Sequence, residues 1–133
     1  MINEDDLNAF GYWSADPPKP QTIPQMVKEF AVKTGQLPDP RLYAALVLEE
    51  ADEWRSEYHQ NSRLEQLKEL ADLVYVVFGY ANAMGWDLDE AVRRVHDNNL
   101  GRCIQPDGSV QRRADGKILK NPGYPKVDLT DLI

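Results

Sequence analysis

Two long helical stretches separated by a break of only two residues, Asn61-Ser62, constrain this chain more than any other feature. A connection that short forces the flanking helices to run antiparallel as neighbours. The first stretch opens at Pro38-Asp39-Pro40, where Asp39 is placed to cap and Pro40 occupies a first-turn position whose missing N–H does no harm. It is predicted to run to about His59. Ser62 and Glu65 then form a capping-box pattern that restarts the chain. Leu64, Leu67, Leu70, Leu73, Val74, Val77, Tyr80 and Met84 give the second stretch a broad apolar face, wide enough for a central helix, before Gly85 stops it.

Two further helices frame this hairpin. Thr22 and Gln25 make a capping box ahead of Ile23, Met26, Val27 and Phe30, which recur at helical spacing until Gly35, so a first helix is predicted over 23–34. Asp87 and Glu90 repeat the pattern, and Ala91, Val92 and Val95 carry a fourth helix toward Gly101. Residues 1–22 hold Pro17, Pro18 and Pro20 with little periodicity and read as an extended arm that Tyr12 and Trp13 pin down. Past residue 100 the helical signal stops. Asp107-Gly108 and Asp115-Gly116 are turn pairs that point to a short hairpin or ordered loop, and Asn121-Pro122-Gly123 forbids a helix. The expectation is one all-α domain over 1–133: an arm (1–22), a core bundle of four main helices (23–100) and an irregular tail (101–133).

The hairpin carries the chemistry. Glu49-Glu50-x-x-Glu53 lies on its first helix and Glu69-x-x-Asp72 on its second, and each three-residue spacing puts two carboxylates on one helical face. Glu53 and Glu69 are equidistant from Asn61, as are Glu50 and Asp72, so closing the hairpin sets acid opposite acid. At 1.5 Å per residue the cluster stands about 12–17 Å from the turn, inside the bundle. Converging carboxylates repel one another and lose hydration, which is tolerable when a cation neutralises them. All the donors are oxygens, which favours Mg²⁺, with Mn²⁺ as a substitute, over Zn²⁺. A di-iron site of the Glu-x-x-His kind is excluded, since neither His59 nor His96 follows a Glu by three. The competing account makes these acids a solvated helix surface partnered by Lys68, Arg55 and Arg63.

Charge and composition narrow the function classes. The net charge of −7 disfavours a nucleic-acid binder, which needs a basic face for the phosphate backbone. Residues 1–100 hold 9 Lys/Arg against 18 Asp/Glu, and residues 101–133 hold 6 against 4, so an acidic body precedes a mildly basic tail. No apolar run approaches the roughly 20 residues that cross a bilayer, and the acidic opening Asn3-Glu4-Asp5-Asp6 is unlike a secretory signal, so a cytoplasmic protein with no membrane partner is expected. Cys103 is the lone cysteine, which rules out an internal disulfide. Neither a nucleophile triad nor a Gly-rich phosphate loop is present.

These residues resemble the MazG-like all-α NTP pyrophosphohydrolase superfamily, whose mark is Glu-Glu-x-x-Glu on one helix and Glu-x-x-Asp on the next. The likeness extends through Glu69-Leu-Ala-Asp-Leu-Val-Tyr-Val-Val-Phe-Gly-Tyr-Ala81, Val95-His96-Asp-Asn-Asn99-Leu-Gly-Arg102 and Asp115-Gly-Lys-Ile-Leu-Lys-Asn-Pro-Gly-Tyr124, about residues 23–128. It looks nearest the phosphoribosyl-ATP pyrophosphohydrolase-like branch, including phage members, whose fourth helix carries Ser-Asn-Met-x-Lys; here Asn98 stands for the Ser and Arg102 for the Lys. The resemblance implies cleavage of a nucleoside triphosphate between its α- and β-phosphates by a homo-oligomer, a dimer or tetramer. Glu50, Glu53, Glu69 and Asp72 would hold the metal, with Glu49, and by its place in the cluster Glu50, in catalytic roles. Asn99 and Arg102 would bind sugar or phosphate, Lys117 and Lys120 would fold over the triphosphate, Tyr124 would pack the tail, and Trp54 would stack on the base. His96 is expected to be structural. Phosphoribosyl-ATP as substrate, and a helical nucleotide-binding module without turnover, are the alternatives.

Overall fold

The computed structural model describes residues 19–60 and 62–133. Most of the expected N-terminal arm, with Tyr12, Trp13, Pro17 and Pro18, and the hairpin residue Asn61 lie outside the described residues. The described residues form an all-α structure of four helices: α1 (Ile23–Thr34), α2 (Pro40–Gln60), α3 (Arg63–Met84) and α4 (Leu88–Cys103), followed by one short 3₁₀ turn, Thr130–Leu132. No helix among the described residues is long and apolar enough to cross a membrane.

The helix starts follow the caps. Thr22 and Gln25 close a complete capping box, Oγ1 of Thr22 accepting from the Gln25 N–H at 3.4 Å while the Gln25 side chain accepts from the Thr22 N–H at 2.9 Å. Asp39 accepts from the Arg41 N–H at 2.9 Å, Ser62 from Glu65 at 3.4 Å and Asp87 from Glu90 at 3.0 Å. The boxes expected at Ser62/Glu65 and Asp87/Glu90 form only the bond to the cap side chain, and the Glu90 carboxylate turns instead to Arg94, 3.1 Å away, a guanidinium being a stronger partner than a backbone N–H. Gly35 and Gly85 end α1 and α3 in the left-handed conformation (φ 71° and 73°), which a residue without Cβ adopts freely.

α2 packs along α3, and α1 packs against the second half of α3. The contact is close because Gly79 of α3 has no side chain: a Cβ there would lie within the ring of Tyr43 from α2. Tyr43, Val27 of α1 and Ala81 of α3 are the buried apolar residues, and Asn82 Nδ2 ties α3 to the Pro24 carbonyl of α1 at 3.1 Å. Phe30 meets Tyr75 edge-on with ring centroids 5.9 Å apart. α4 touches α1–α3 only sparsely.

α4 also passes Gly101 to end at Cys103, three residues beyond the expected core boundary. Gly101 serves packing rather than termination: the Tyr124 hydroxyl occupies the space a Cβ would take, so the tail folds back onto the helix. That return starts with two tight turns closed by Gly108 and Gly116 (φ 82° and 91°), where the bridges Ile104–Val110 and Arg112–Ile118 form without extended strands. It continues with the Asn121 N–H donating to the Arg102 carbonyl at 2.7 Å and ends with Arg94 held by both carboxylate oxygens of Asp131 at 2.5 and 2.9 Å.

Candidate metal centre

Packing α2 along α3 brings Glu50, Glu69 and Asp72 together, with one carboxylate oxygen of each within 4.8 Å of the others. Glu69 is the most enclosed, at 8 % exposure; Glu50 and Asp72 are half-buried. Glu53 stands one turn along α2, more exposed, and belongs to the same electrostatic group. The Glu50 charge, then hydrogen bonding with Glu69, hold its carboxyl above the ordinary glutamate value. Glu49 is exposed and lies outside the three-oxygen cluster.

Two observations bear on what the cluster can hold. Oε2 of Glu50 and Oε2 of Glu69 are buried with no hydrogen-bond partner, a costly arrangement for charged oxygens. Every donor in the cluster is a carboxylate, the ligand type of hard divalent cations. The residues therefore fit a divalent ion. Lys68 supplies the one positive charge that reaches them among the described residues, its Nζ lying 3.1 Å from Glu69 Oε1 and 2.8 Å from Asp72 Oδ2. Sequence reasoning placed Lys68 only among the partners of a solvated surface, since a residue beside Glu69 in the chain gives no sign of which face its long side chain chooses. Both acids raise its pKa, Asp72 the more strongly. Of the other two partners considered, Arg55 pairs with Asp52 at 2.7 Å, away from the cluster.

The remaining candidates divide into separate places. Trp54, half-buried on α2, stacks on Tyr58 with centroids 5.7 Å apart. Asn99, Lys117 and Lys120 are exposed on α4 and the tail, and Arg102, half-buried, keeps Nε enclosed without a partner. α4, which carries Asn99 and Arg102, barely touches α2 and α3, and no ion pair among the described residues joins Arg102, Lys117 or Lys120 to the carboxylates. Asn98 serves the tail, donating from Nδ2 to the Pro125 carbonyl at 3.0 Å. His96, expected to be structural, is exposed.

The raised pKa of Glu53 has a sign that can be measured. An acid whose folded pKa exceeds its unfolded value, about 4.3 for glutamate, stabilises the fold below that value, and the contribution is lost as pH rises through the folded pKa. The melting temperature of the metal-free protein relative to Glu53→Gln is therefore expected to fall as pH rises above the ordinary glutamate range, and divalent cations should flatten that slope. Melting curves from pH 4 to 7, with and without Mg²⁺, check this; a slope of the opposite sign contradicts it.

Comparison with curated proteins returns no match. The family model of phosphoribosyl-ATP pyrophosphohydrolase matches residues 21–99, a span that takes in α1 to α3, most of α4 and all four cluster acids. On that match over more than half its length, the chain belongs to the phosphoribosyl-ATP pyrophosphohydrolase family, within the MazG-like superfamily of nucleotide pyrophosphohydrolases.

Proposed function

We propose that the chain is a cytoplasmic, Mg²⁺-dependent nucleoside triphosphate pyrophosphohydrolase that converts a (d)NTP and water into the (d)NMP and pyrophosphate. The observation that supports this most is the pair of buried, unpartnered oxygens on Glu50 and Glu69, which converge with Asp72 in a set made only of carboxylates. Glu50, Glu53, Glu69 and Asp72 would hold Mg²⁺, with Mn²⁺ able to replace it. When bound, such an ion neutralises the acids and absorbs charge on the phosphate oxygens.

The chain's own groups divide the remaining work. Glu49, exposed beside the cluster, would orient or deprotonate the attacking water at its carboxylate, and Glu50 would share that role through its second oxygen. Asn99 and Arg102 would bind sugar and phosphate oxygens, and Lys117 and Lys120 would cover the triphosphate. Asn99 and Arg102 sit on α4, which barely touches the helices that carry the acids, and Lys117 and Lys120 sit on the tail beyond it.

A homo-oligomer, dimer or tetramer, accounts for this. Leu48, Leu64, Leu67 and Val92 are 54–75 % exposed, more apolar surface than a lone small domain ordinarily leaves in water. Packing these faces together would draw a second copy's α4 toward the acids. Light scattering on the purified protein is expected to give a mass of two or four chains, and a single-chain mass contradicts the oligomer.

The family match favours phosphoribosyl-ATP as a second reading of the substrate. Incubation with Mg²⁺ and a panel of canonical and damaged (d)NTPs plus phosphoribosyl-ATP, followed by mass analysis of products, tests both. Pyrophosphate with a nucleoside monophosphate is the expected outcome. Turnover of phosphoribosyl-ATP alone selects the second reading, and release of inorganic phosphate alone, or metal-dependent binding without product, contradicts both.

A further inference from the structure

The carboxylates account for the phosphate end of a substrate and leave its base without a place. At the other end of the α2–α3 hairpin a cleft of about 330 Å³ opens between α1, the start of α2 and the end of α3, within the size range of small-molecule pockets. Its walls include Val27 and Ala31 of α1, Tyr43 of α2, and Asn82, Ala83 and Trp86 at the end of α3.

The cleft and the acids share one stripe of the hairpin. Tyr43 precedes Glu50 by seven residues and Gly79 follows Asp72 by seven, and seven residues are two helical turns, which return to the same face. The cleft therefore begins about 10 Å from the carboxylates, on the order of the span from the phosphates of a nucleotide to its base. We propose that it receives the nucleobase of the substrate, a site that rests on the reading of the chain as a nucleotide pyrophosphohydrolase.

The chemistry of the lining suits a flat aromatic ring with a polar edge. Tyr43 lies flush against Gly79, and with Val27, Ala31, Ala83 and the ring of Trp86 it makes apolar walls for the faces of a base. The polar edge has amides to meet it. Asn82 commits its Nδ2 to the Pro24 carbonyl, which leaves Oδ1 to accept from a base N–H, while Gln36 brings a donor and an acceptor to the same cleft. Trp54 lies in the opposite direction, toward the hairpin turn, with a face stacked on Tyr58, whereas Trp86 meets Tyr80 edge-on with ring centroids 5.9 Å apart.

The two places are distinguishable by titrating the ¹⁵N-labelled full chain, in Mg²⁺, with α,β-methylene analogues of the four dNTPs, whose bridging carbon blocks cleavage. The expected result is that the indole N–H signal of Trp86 and the side-chain amide signals of Asn82 shift on binding, while the indole of Trp54 stays in place. Ala83→Phe, which fills the cleft, should then weaken analogue binding at least tenfold by calorimetry while the variant still melts higher in Mg²⁺ alone. Movement of the Trp54 signal in place of Trp86, or undiminished binding by a folded Ala83→Phe, overturns the base site and leaves the pyrophosphohydrolase reading standing. Failure of every analogue to bind the unaltered protein overturns the base site and, with it, the (d)NTP reading.

Discussion

Replacing Glu69 with Gln is expected to lower pyrophosphate release by about 10²–10³-fold while raising the melting temperature of the metal-free protein. The two effects have one origin. Glu69 is the most buried of the converging acids, and its Oε2 has no partner. Glu69 would hold the Mg²⁺ that stabilises the negative charge gathered in the reaction, and loss of one such preorganised electrostatic element has effects of that order. Without metal the same charge faces Glu50 and Glu53, so neutralising it relieves repulsion. Lys68 keeps its 2.8 Å contact with Asp72 in the variant. A side chain with a purely structural role would lower activity and stability together, so the opposed signs are diagnostic. Glu57→Gln, one turn nearer the hairpin end, is the control and should change neither by much. Steady-state rates and melting curves in chelator measure both quantities, and Glu69→Gln activity within twofold of the unaltered protein would sink the assignment.

The features that could be read in the sequence are those set by neighbours a few residues apart. Thr22, Asp39, Ser62 and Asp87 cap, and Gly35 and Gly85 stop, through bonds to their own turn of chain, and all of them do so in the structure. The carboxylate register was legible for a related reason: an i, i+3 spacing repeated on both sides of a short connection leaves closure of the hairpin little freedom. What escaped depends on contacts between distant segments. Gly101 looks like a stop by composition, and only the return of Tyr124 shows it to be a packing position. Glu90 had two uses open to it and took the ion pair with Arg94, which itself reaches across to Asp131. α4 stands almost free of α2 and α3, and no local pattern encodes that separation. The cleft around Tyr43 and Trp86 draws its walls from three helices and has no signature in any one of them.

Removal of divalent cations should abolish pyrophosphate release and lower the melting temperature, with Mg²⁺ restoring both. In the metal-free chain the acids are neutralised only in part. Lys68 bridges Glu69 and Asp72 but leaves Oε2 of Glu50 and of Glu69 unpartnered, so one exposed ammonium offsets only part of the repulsion. A ligand that binds only the folded state at a hundred times its dissociation constant stabilises by about 2.7 kcal/mol, which for a chain of this length is on the order of 10 °C in Tm. Lys68 and the metal also compete for the same two acids. Lys68→Met is therefore expected to melt lower than the unaltered protein in chelator, yet to reach its Mg²⁺-dependent rise at a lower Mg²⁺ concentration. Calorimetric melts across a Mg²⁺ titration read the melting effects, and a pyrophosphate assay in chelator and after Mg²⁺ is restored reads the release. A Tm indifferent to Mg²⁺ in the unaltered chain would return the acids to the status of a solvated surface. A normal Mg²⁺ rise with no change of midpoint in Lys68→Met would leave the metal site intact and show instead that the lysine does not compete for it.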